Sequence, residues 1–288
     1  GRLRRISPSG AVSEPISGLP AIFVDGQAGL LDVAVSPTFA TDQLVYVSFA
    51  EPTLRGNKAG TAVLRGRLQG DALLDVEVIY RQAPKLSHGT HVGSRLVFDD
   101  AGHLFITHGD NRVAAAAAQE LDKLPGKLVR IWPDGRVPDD NPFVDRGGAR
   151  PEIWSYGHRN MQGAALHPVT RQIWTTEHGP MGGDELNIPQ AGRNYGWPVI
   201  THGIDYSGKP VPGSTGKSAP GMEQPHHVWP VSPGLSGMAF YTGNLLPQWK
   251  GNLFLGGLAS SDLIRLELDG DKVVHEERLL KQRQQRIR

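Results

Sequence analysis

Apolar runs of strand length alternate with turn-forming residues along most of the chain. Residues 30–49 hold two such runs divided at 36–38, and residues 95–106, 163–175 and 238–255 repeat this form. Short aliphatic and aromatic runs bounded by Gly, Pro, Asn or Asp are typical of β-hairpins. The pattern therefore predicts an all-β chain made of repeated hairpins.

The hairpins recur at an interval that predicts a β-propeller. Successive hairpins start roughly 65–75 residues apart. A second hairpin lies within the intervals, as at residues 127–131 and 263–268. Two hairpins supply the four strands of one propeller blade, and the long period leaves loops that would cluster on one face.

The two ends of the chain predict an incomplete ring. Residues 1–20 supply a second hairpin without a first one, and the sequence stops at Arg288, where a new first hairpin is expected. We therefore expect one domain over residues 1–288, a six-bladed propeller of four-stranded blades with one blade incomplete, truncated at one or both ends. Residues 180–228 are expected to form a long loop insertion, and Ala114–Ala118 is either the start of a helix or a loop.

Composition removes several classes of function. The 288 residues include 36 Gly and 22 Pro, which fits a turn-rich β chain. A formal net charge of +1 gives no electrostatic case for binding nucleic acid, and no apolar run approaches the roughly 20 residues of a membrane helix. The chain has no Cys, which excludes thiol catalysis and a disulfide framework.

A Gly-Pro turn at Gly179 and Pro180 precedes the acidic pair Asp184 and Glu185. Glycine lets main-chain carbonyls approach a ligand closely, and carbonyl and carboxylate oxygens are the ligands that calcium prefers. The residues themselves leave two interpretations open, a cation site or a solvated Gly/Pro-rich loop.

His91 lies in the segment THVGSRL (90–96), just before a predicted strand. A histidine that faces a channel is suited to general base catalysis, because imidazole titrates near neutral pH. The alternative is an ordinary loop histidine, and His88 is a nearby competitor for the role.

Two arginines, Arg286 and Arg288, alternate across Ile287. A strand here would place both guanidinium groups on one face, where they would suit a polycarboxylate or phosphate ligand. The alternative is a basic tail, because Lys281 and Arg283 continue the polarity.

Three amides, Gln27, Asn111 and Asn160, stand beside glycines at hairpin boundaries. One such residue is a turn former, whereas three in successive repeats favour convergence on a central channel. Trp229 would add an aromatic wall to that channel, although a core tryptophan explains it equally well.

Taken together, these segments resemble the soluble, PQQ-dependent glucose and aldose sugar dehydrogenases, the glucose/sorbosone dehydrogenase family. The resemblance runs from residue 25 to the end of the chain and is greatest for the bacterial aldose sugar dehydrogenase branch. The segments that carry it are QAGLL (27–31), HVGSRL (91–96), GHRNMQG (157–163), EHGP (177–180), DELN (184–187), GRNYGWP (192–198) and RIR (286–288).

The resemblance implies a six-bladed propeller with PQQ over its central channel. In this family a histidine takes the proton from the anomeric hydroxyl while hydride passes to the quinone, and His91 matches that base. Calcium polarises the quinone, and its ligands include main-chain oxygens that match Gly179 and Pro180. Cofactor contacts are implied for Gln27, Asn111, Asn160, His178, Gly179, Trp229, Arg286 and Arg288.

A second, structural calcium is also implied, with Glu185 and Tyr195 matching its ligands and Asp184 close by. The sequence departs from the family at two places. Thr90 stands where some members have an Asp before the base, so the orientation of His91 must come from elsewhere. Leu258 is not followed by the Lys that contacts the cofactor in some members.

The function implied by the resemblance is oxidation of aldoses to lactones, with electrons passed to an external acceptor. A periplasmic or secreted location and a monomeric state are expected. Two other functions remain open for the same fold, a calcium-dependent lactonase and a non-catalytic binding module.

Overall fold

The computed structural model describes residues 1–87 and 89–288. Within these ranges four antiparallel sheets of four strands each follow one another along the chain, and consecutive strands are neighbours in every sheet. The first sheet consists of β1 (Leu30–Val35), β2 (Leu44–Pro52), β3 (Ala59–Gln69) and β4 (Ala72–Arg81). The second consists of β5 (Leu96–Phe98), β6 (Leu104–Thr107), β7 (Lys127–Ile131) and β8 (Ile153–Tyr156). The third consists of β9 (Met161–Leu166), β10 (Ile173–Glu177), β11 (Asp184–Asn187) and β12 (His227–Trp229). The fourth consists of β13 (Leu235–Phe240), β14 (Leu253–Gly257), β15 (Leu263–Asp269) and β16 (Lys272–Leu279).

The sheets stand side by side with their apolar cores between them. The first strands β1, β5, β9 and β13 are in contact in that order. One core joins Tyr46 of the first sheet to Ile106 of the second, and another joins Trp174 of the third to Leu255 of the fourth. Burial of these side chains against the next sheet is what holds adjacent blades together. The prediction of an all-β chain with four-stranded, propeller-like blades is confirmed, and the six-bladed ring stays a prediction.

The topology brings several connections to one end of the sheets. In a four-stranded antiparallel meander, the start of the first strand, the link between the second and third strands and the end of the fourth strand share one end. The segment before β1 and the β4–β5, β6–β7, β8–β9, β10–β11 and β12–β13 connections therefore meet there. These segments contain most of the residues that the sequence marks as functional.

Three expectations from the sequence change. The segment 180–228 is not one loop, because β11 lies inside it and the long connection runs only from 188 to 226. The N-terminal hairpin is reduced to a single antiparallel bridge between Ile6 and Val12. The alanine run forms a 3₁₀ helix at Ala115–Gln119.

The other helices are short. They are α1 (Phe39–Asp42) and 3₁₀ helices at Pro247–Trp249 and Lys281–Arg283. Among the described residues, none of these helices has the length and apolar character to cross a membrane.

Candidate active site

His91 lies in the β4–β5 connection with its ring beside a carboxylate. Its Nδ1 is 2.7 Å from Asp110 Oδ1, and the two side chains are 12% and 1% exposed. The backbone of His91 has a φ of 48°, which is uncommon for a residue other than glycine. Because Nδ1 is engaged by the carboxylate, Nε2 is the ring nitrogen that can face a substrate. Asp110 therefore orients the ring of His91, while His88 lies outside the described residues.

Asp110 is itself fixed from two other directions. Its Oδ1 also accepts a hydrogen bond from the main-chain N–H of Arg112, at 2.7 Å. Its Oδ2 accepts a hydrogen bond from the indole Nε1 of Trp197, at 2.8 Å. A carboxylate held by three partners presents one defined edge to the imidazole, so it can select one tautomer of His91.

The three predicted amides all reach the His91 segment, but in different ways. Gln27 Oε1 accepts a hydrogen bond from the main-chain N–H of His91, at 2.9 Å. The main-chain N–H of Asn111 donates to the carbonyl of His91 at 3.2 Å, and Asn160 Oδ1 accepts from the N–H of Gly93 at 3.3 Å. Asn111 and Asn160 are 2% and 1% exposed. They therefore support the backbone around the base from inside the molecule.

The Gly179-Pro180 turn is anchored by Asp184. Oδ1 of Asp184 accepts from the N–H of Gly179 at 3.0 Å and from the hydroxyl of Ser232. Oδ2 accepts from the N–H of Gly234 at 2.9 Å and from that of Leu235 at 3.0 Å. Both carboxylate oxygens are thus used by the protein's own donors. Asp184 therefore holds the turn in place, and its role as a metal ligand stays a prediction.

Arg159, in the β8–β9 connection, reaches the same turn. One terminal nitrogen donates to the carbonyls of His178, at 3.0 Å, and Gly179, at 2.7 Å. The residue is 6% exposed, and its Nε is buried without a hydrogen-bond partner among the described residues. A buried donor without a partner costs free energy unless a ligand satisfies it. Burial also lowers the pKa of His178, which favours its neutral ring here.

Two adjoining cavities open at this end of the sheets. The larger is about 550 Å³, and the predicted residues in its lining are Gln27, His178, Gly179, Pro180, Asp184 and Arg286. The smaller is about 250 Å³, and its lining includes His91, Asp110, Arg159 and Trp197. Pro180 and Tyr206 line both cavities, so the base and the Gly-Pro turn border one continuous region.

Arg286 and Arg288 lie in an irregular segment after the last 3₁₀ helix and not in a strand. The carbonyl of Ile287 between them accepts a hydrogen bond from the hydroxyl of Ser236, at 2.8 Å. Arg286 lines the larger cavity, whereas Arg288 donates to Gln162 Oε1 at 3.1 Å. Arg286 therefore borders the cavity that could hold a cofactor, whereas the described contact of Arg288 is with Gln162.

Glu185 and Tyr195 line a very small cavity of about 10 Å³, which is space for roughly one water-sized sphere and which shares Gly179 with the larger cavity. Burial, assisted by the neighbouring charge of Glu177, raises the pKa of Glu185 to about 8. Asn187 Oδ1 is buried without a hydrogen-bond partner among the described residues. The Tyr195 hydroxyl already donates to the carbonyl of Ile188, at 2.9 Å. This oxygen-rich space fits a small cation, to which Tyr195 would offer its main-chain oxygen.

Trp229 is not at the candidate site. It lies in β12, is 4% exposed and packs in the core with Trp174 and Leu186. Its indole N–H donates to Glu276 Oε2, at 2.7 Å, on the outermost strand of the next sheet. The expected cofactor contact is therefore corrected in favour of the core alternative.

The donor set of the larger cavity fits a polycarboxylate cofactor with a hard cation. The described residues contain no cluster of three or more His, Asp or Glu that could hold a metal. A cation beside the turn would instead take main-chain oxygens of Gly179 and Pro180, which suit calcium. Arg286 supplies positive charge to this cavity, whereas Arg159 lines the smaller cavity beside His91.

Sequence reasoning missed three residues of this site, which are Asp110, Arg159 and Trp197. Each stands next to or within a segment that was singled out, since Asp110 precedes Asn111 and Arg159 precedes Asn160. A signal was present in Asp110, because an acid beside a turn amide is a typical partner for a histidine. Its partner could not be chosen among the 11 histidines without the fold.

Comparison with known proteins agrees with this arrangement. The profile of the family described as Glucose / Sorbosone dehydrogenase matches residues 1–288. An aldose sugar dehydrogenase of Escherichia coli (strain K12) is 50% identical over 290 residues, covering 100% of this chain and 78% of the relative.

Two solved structures extend the comparison. A crystal structure of a glucose dehydrogenase superposes with a TM-score of 0.97 at 57% identity, covering 100% of this chain and 83% of the other. The PQQ-bound form of an aldose sugar dehydrogenase from Streptomyces coelicolor superposes with a TM-score of 0.79 at 26% identity, covering 99% and 77%.

The match to the family profile and the high identity to a named aldose sugar dehydrogenase show that the protein is an oxidoreductase. The chain belongs to the glucose/sorbosone dehydrogenase family. The family and the class of enzyme expected from the sequence are thereby confirmed.

Proposed function

We propose that this protein oxidises aldose sugars at the anomeric carbon to lactones, with PQQ as cofactor and calcium beside it. The observation that carries the proposal is the pair formed by His91 and Asp110 next to a cavity lined by Gly179, Pro180 and Arg286. The name of the Streptomyces coelicolor structure, a PQQ-bound aldose sugar dehydrogenase, supports the cofactor.

His91 would act as the general base. Its Nε2 takes the proton from the anomeric hydroxyl, while Asp110 accepts the hydrogen bond from Nδ1–H and stabilises the imidazolium that forms. The sugar loses that proton and the hydride of its anomeric carbon, which leaves the lactone. When bound, PQQ supplies the two-electron acceptor and calcium the Lewis acid that polarises it.

The other residues of the cavity would bind and orient. Gly179 and Pro180 would hold calcium through main-chain oxygens, and Arg286 would pair with a carboxylate of PQQ. Arg159 would hold the turn through its hydrogen bonds to the carbonyls of His178 and Gly179. Glu185 and the main-chain oxygen of Tyr195 would hold a second, structural calcium.

The decisive experiment is reconstitution of the purified chain with PQQ and calcium. Sugar-dependent reduction of a dye, absent in a His91→Ala variant, is expected. Lactone hydrolysis without PQQ would favour a lactonase instead. Neither activity, together with specific capture of a protein ligand, would favour a binding module.

Four wider features belong to the same proposal. They are a six-bladed ring in the complete protein, an external electron acceptor, a periplasmic or secreted location and a monomeric state. A structure of the complete gene product, cell fractionation and sedimentation test the ring, the location and the oligomeric state. Recovery of the protein with the cytoplasmic fraction would contradict the location.

A further inference from the structure

A buried tryptophan connects the two halves of the proposed site. Trp197 lies in the long connection between β11 and β12 and is 9% exposed. Its indole N–H donates to Asp110 Oδ2 at 2.8 Å, which is the carboxylate oxygen that does not face His91. The ring therefore fixes the rotation of the carboxylate that orients the base.

The face of the same ring supports Arg159. The guanidinium carbon lies 5.1 Å from the centroid of the Trp197 ring, within the range of a cation–π interaction. That guanidinium also donates to the carbonyls of His178 and Gly179. One indole thus contacts the group behind the base and the group behind the cation-binding turn.

The backbone of Trp197 is held on both sides, and its ring is held by burial and by the indole hydrogen bond to Asp110. Its N–H donates to the carbonyl of Gly157 at 2.8 Å. Its carbonyl accepts from Gln119 Nε2 at 2.8 Å. The amides of Gln119 and Asn194 are in turn paired by two hydrogen bonds, of 3.0 and 2.8 Å. A side chain locked in this way can hold its two partners at a fixed separation.

We propose that Trp197 is a positioning residue that keeps the proton-accepting pair in register with the Gly-Pro turn. The inference rests on the proposed function, because it assumes that His91 removes the proton. Trp197 acts through Asp110 on one side and Arg159 on the other. Loss of its indole N–H therefore misaligns the base with little effect on the binding of sugar.

The test compares Trp197→Phe with a matched variant, Trp154→Phe. Trp154 also donates an indole hydrogen bond, to the carbonyl of Pro189 at 3.2 Å, and also lies under a guanidinium, that of Arg130 at 4.4 Å. We expect Trp197→Phe to lower kcat by roughly 10- to 100-fold with KM changed by less than about threefold. Trp154→Phe should leave both values near those of the native enzyme.

A double-mutant cycle separates positioning from a general loss of structure. In an Asp110→Asn background, Trp197→Phe should add less than about threefold to the loss, because its target is already altered. A larger isotope effect with sugar deuterated at the anomeric carbon should accompany the single variant. Additive losses, or equal effects of the two tryptophan variants, would overturn the proposal.

Two controls distinguish a variant that does not fold, a failure of the proposed function and a failure of this inference alone. If Trp197→Phe does not fold, as judged by its melting temperature, Trp197→Tyr keeps an aromatic ring under the guanidinium and gives the same readouts. If the native chain with PQQ and calcium oxidises no sugar, or if His91→Ala retains activity, the proposed function fails first. Activity that depends on His91 but not on Trp197 defeats this inference alone.

Discussion

Two of the histidine–carboxylate pairs among the described residues have the same first hydrogen bond and different surroundings. His91 Nδ1 lies 2.7 Å from Asp110 and His158 Nδ1 lies 3.0 Å from Glu177. His158 is fully buried, its Nε2 is 2.8 Å from the hydroxyl of Ser155, and its ring stacks on another aromatic ring at 4.7 Å. His91 borders a cavity. A histidine beside a carboxylate is therefore a catalytic candidate only where the second nitrogen reaches open space.

The carboxylates of the two pairs, Asp110 and Glu177, also differ in their surroundings. Asp110 receives its other hydrogen bonds from Trp197 and from the backbone of Arg112, so both set its orientation toward the cavity. Glu177 receives hydrogen bonds from the N–H of Arg159 and from Asn187, within the interior of its sheet. The His91 pair thus borders the 250 Å³ cavity, whereas the Glu177 side chain ties neighbouring strands together.

The largest expected difference follows from removal of each histidine. His91→Ala should lower kcat by roughly 10³- to 10⁴-fold while PQQ binding persists, because the general base is lost. His158→Ala should instead lower the melting temperature, since a buried hydrogen-bonded ring is removed. Steady-state kinetics with PQQ titration and thermal unfolding check the pair. Similar kinetic losses in the two folded variants would end the distinction.

A third histidine, His108, sharpens the comparison through pH. Burial lowers its pKa from 6.5 to about 3, and its Nε2 lies 3.1 Å from the hydroxyl of Tyr80. The unfolded chain takes up a proton here between pH 6.5 and 3, whereas the folded chain does not. Stability is therefore full above pH 6.5 and falls as the pH drops, by on the order of 3 kcal/mol at pH 4.

Denaturant unfolding at pH 7 and pH 4 measures this effect. The variant His108→Gln should lose less stability between the two values than the native chain. An equal loss of stability in the variant and the native chain would show that groups other than His108 destabilise the protein at low pH.

Neutralising each carboxylate should again affect the two pairs differently, with a smaller loss of kcat than removal of the histidine. Asp110→Asn should lower kcat by roughly 10- to 100-fold, because the amide cannot stabilise a protonated His91. Glu177→Gln should mainly reduce the free energy of unfolding, by about 1–3 kcal/mol. Kinetics and denaturant titration on both variants decide, and a normal kcat in Asp110→Asn would remove Asp110 from the mechanism.

The smallest effect concerns the cofactor and leaves both pairs intact. Arg286→Ala should weaken PQQ binding by roughly tenfold, since one charge-assisted hydrogen bond is lost. Arg283→Ala, on the exposed 3₁₀ helix, is the matched control and should bind normally. Fluorescence titration of PQQ into the calcium-loaded proteins measures both. Equal affinities would return the terminal arginines to the basic-tail interpretation.

Local sequence signals predicted most of the strands but few of the contacts between side chains that lie far apart in the chain. The β1–β2 and β13–β14 hairpins were found because strand periodicity and turn residues act between near neighbours. Strand β11 was missed because its four residues, Asp184–Asn187, include only one apolar side chain. Asp110 was missed as the partner of His91 because it lies in a different connection, between β6 and β7. The two connections meet only because the antiparallel topology brings both to the same end of the sheets.

The sequence by itself determined the repeated hairpins, the family and the identity of the candidate base, because these depend on local patterning and on short motifs. The tertiary structure decided which carboxylate orients His91, which of Arg286 and Trp229 reaches the cavity, and which histidine is sealed inside. Those outcomes depend on pairing between residues far apart in the chain and on the exclusion of solvent. Both properties arise only when the four sheets pack together.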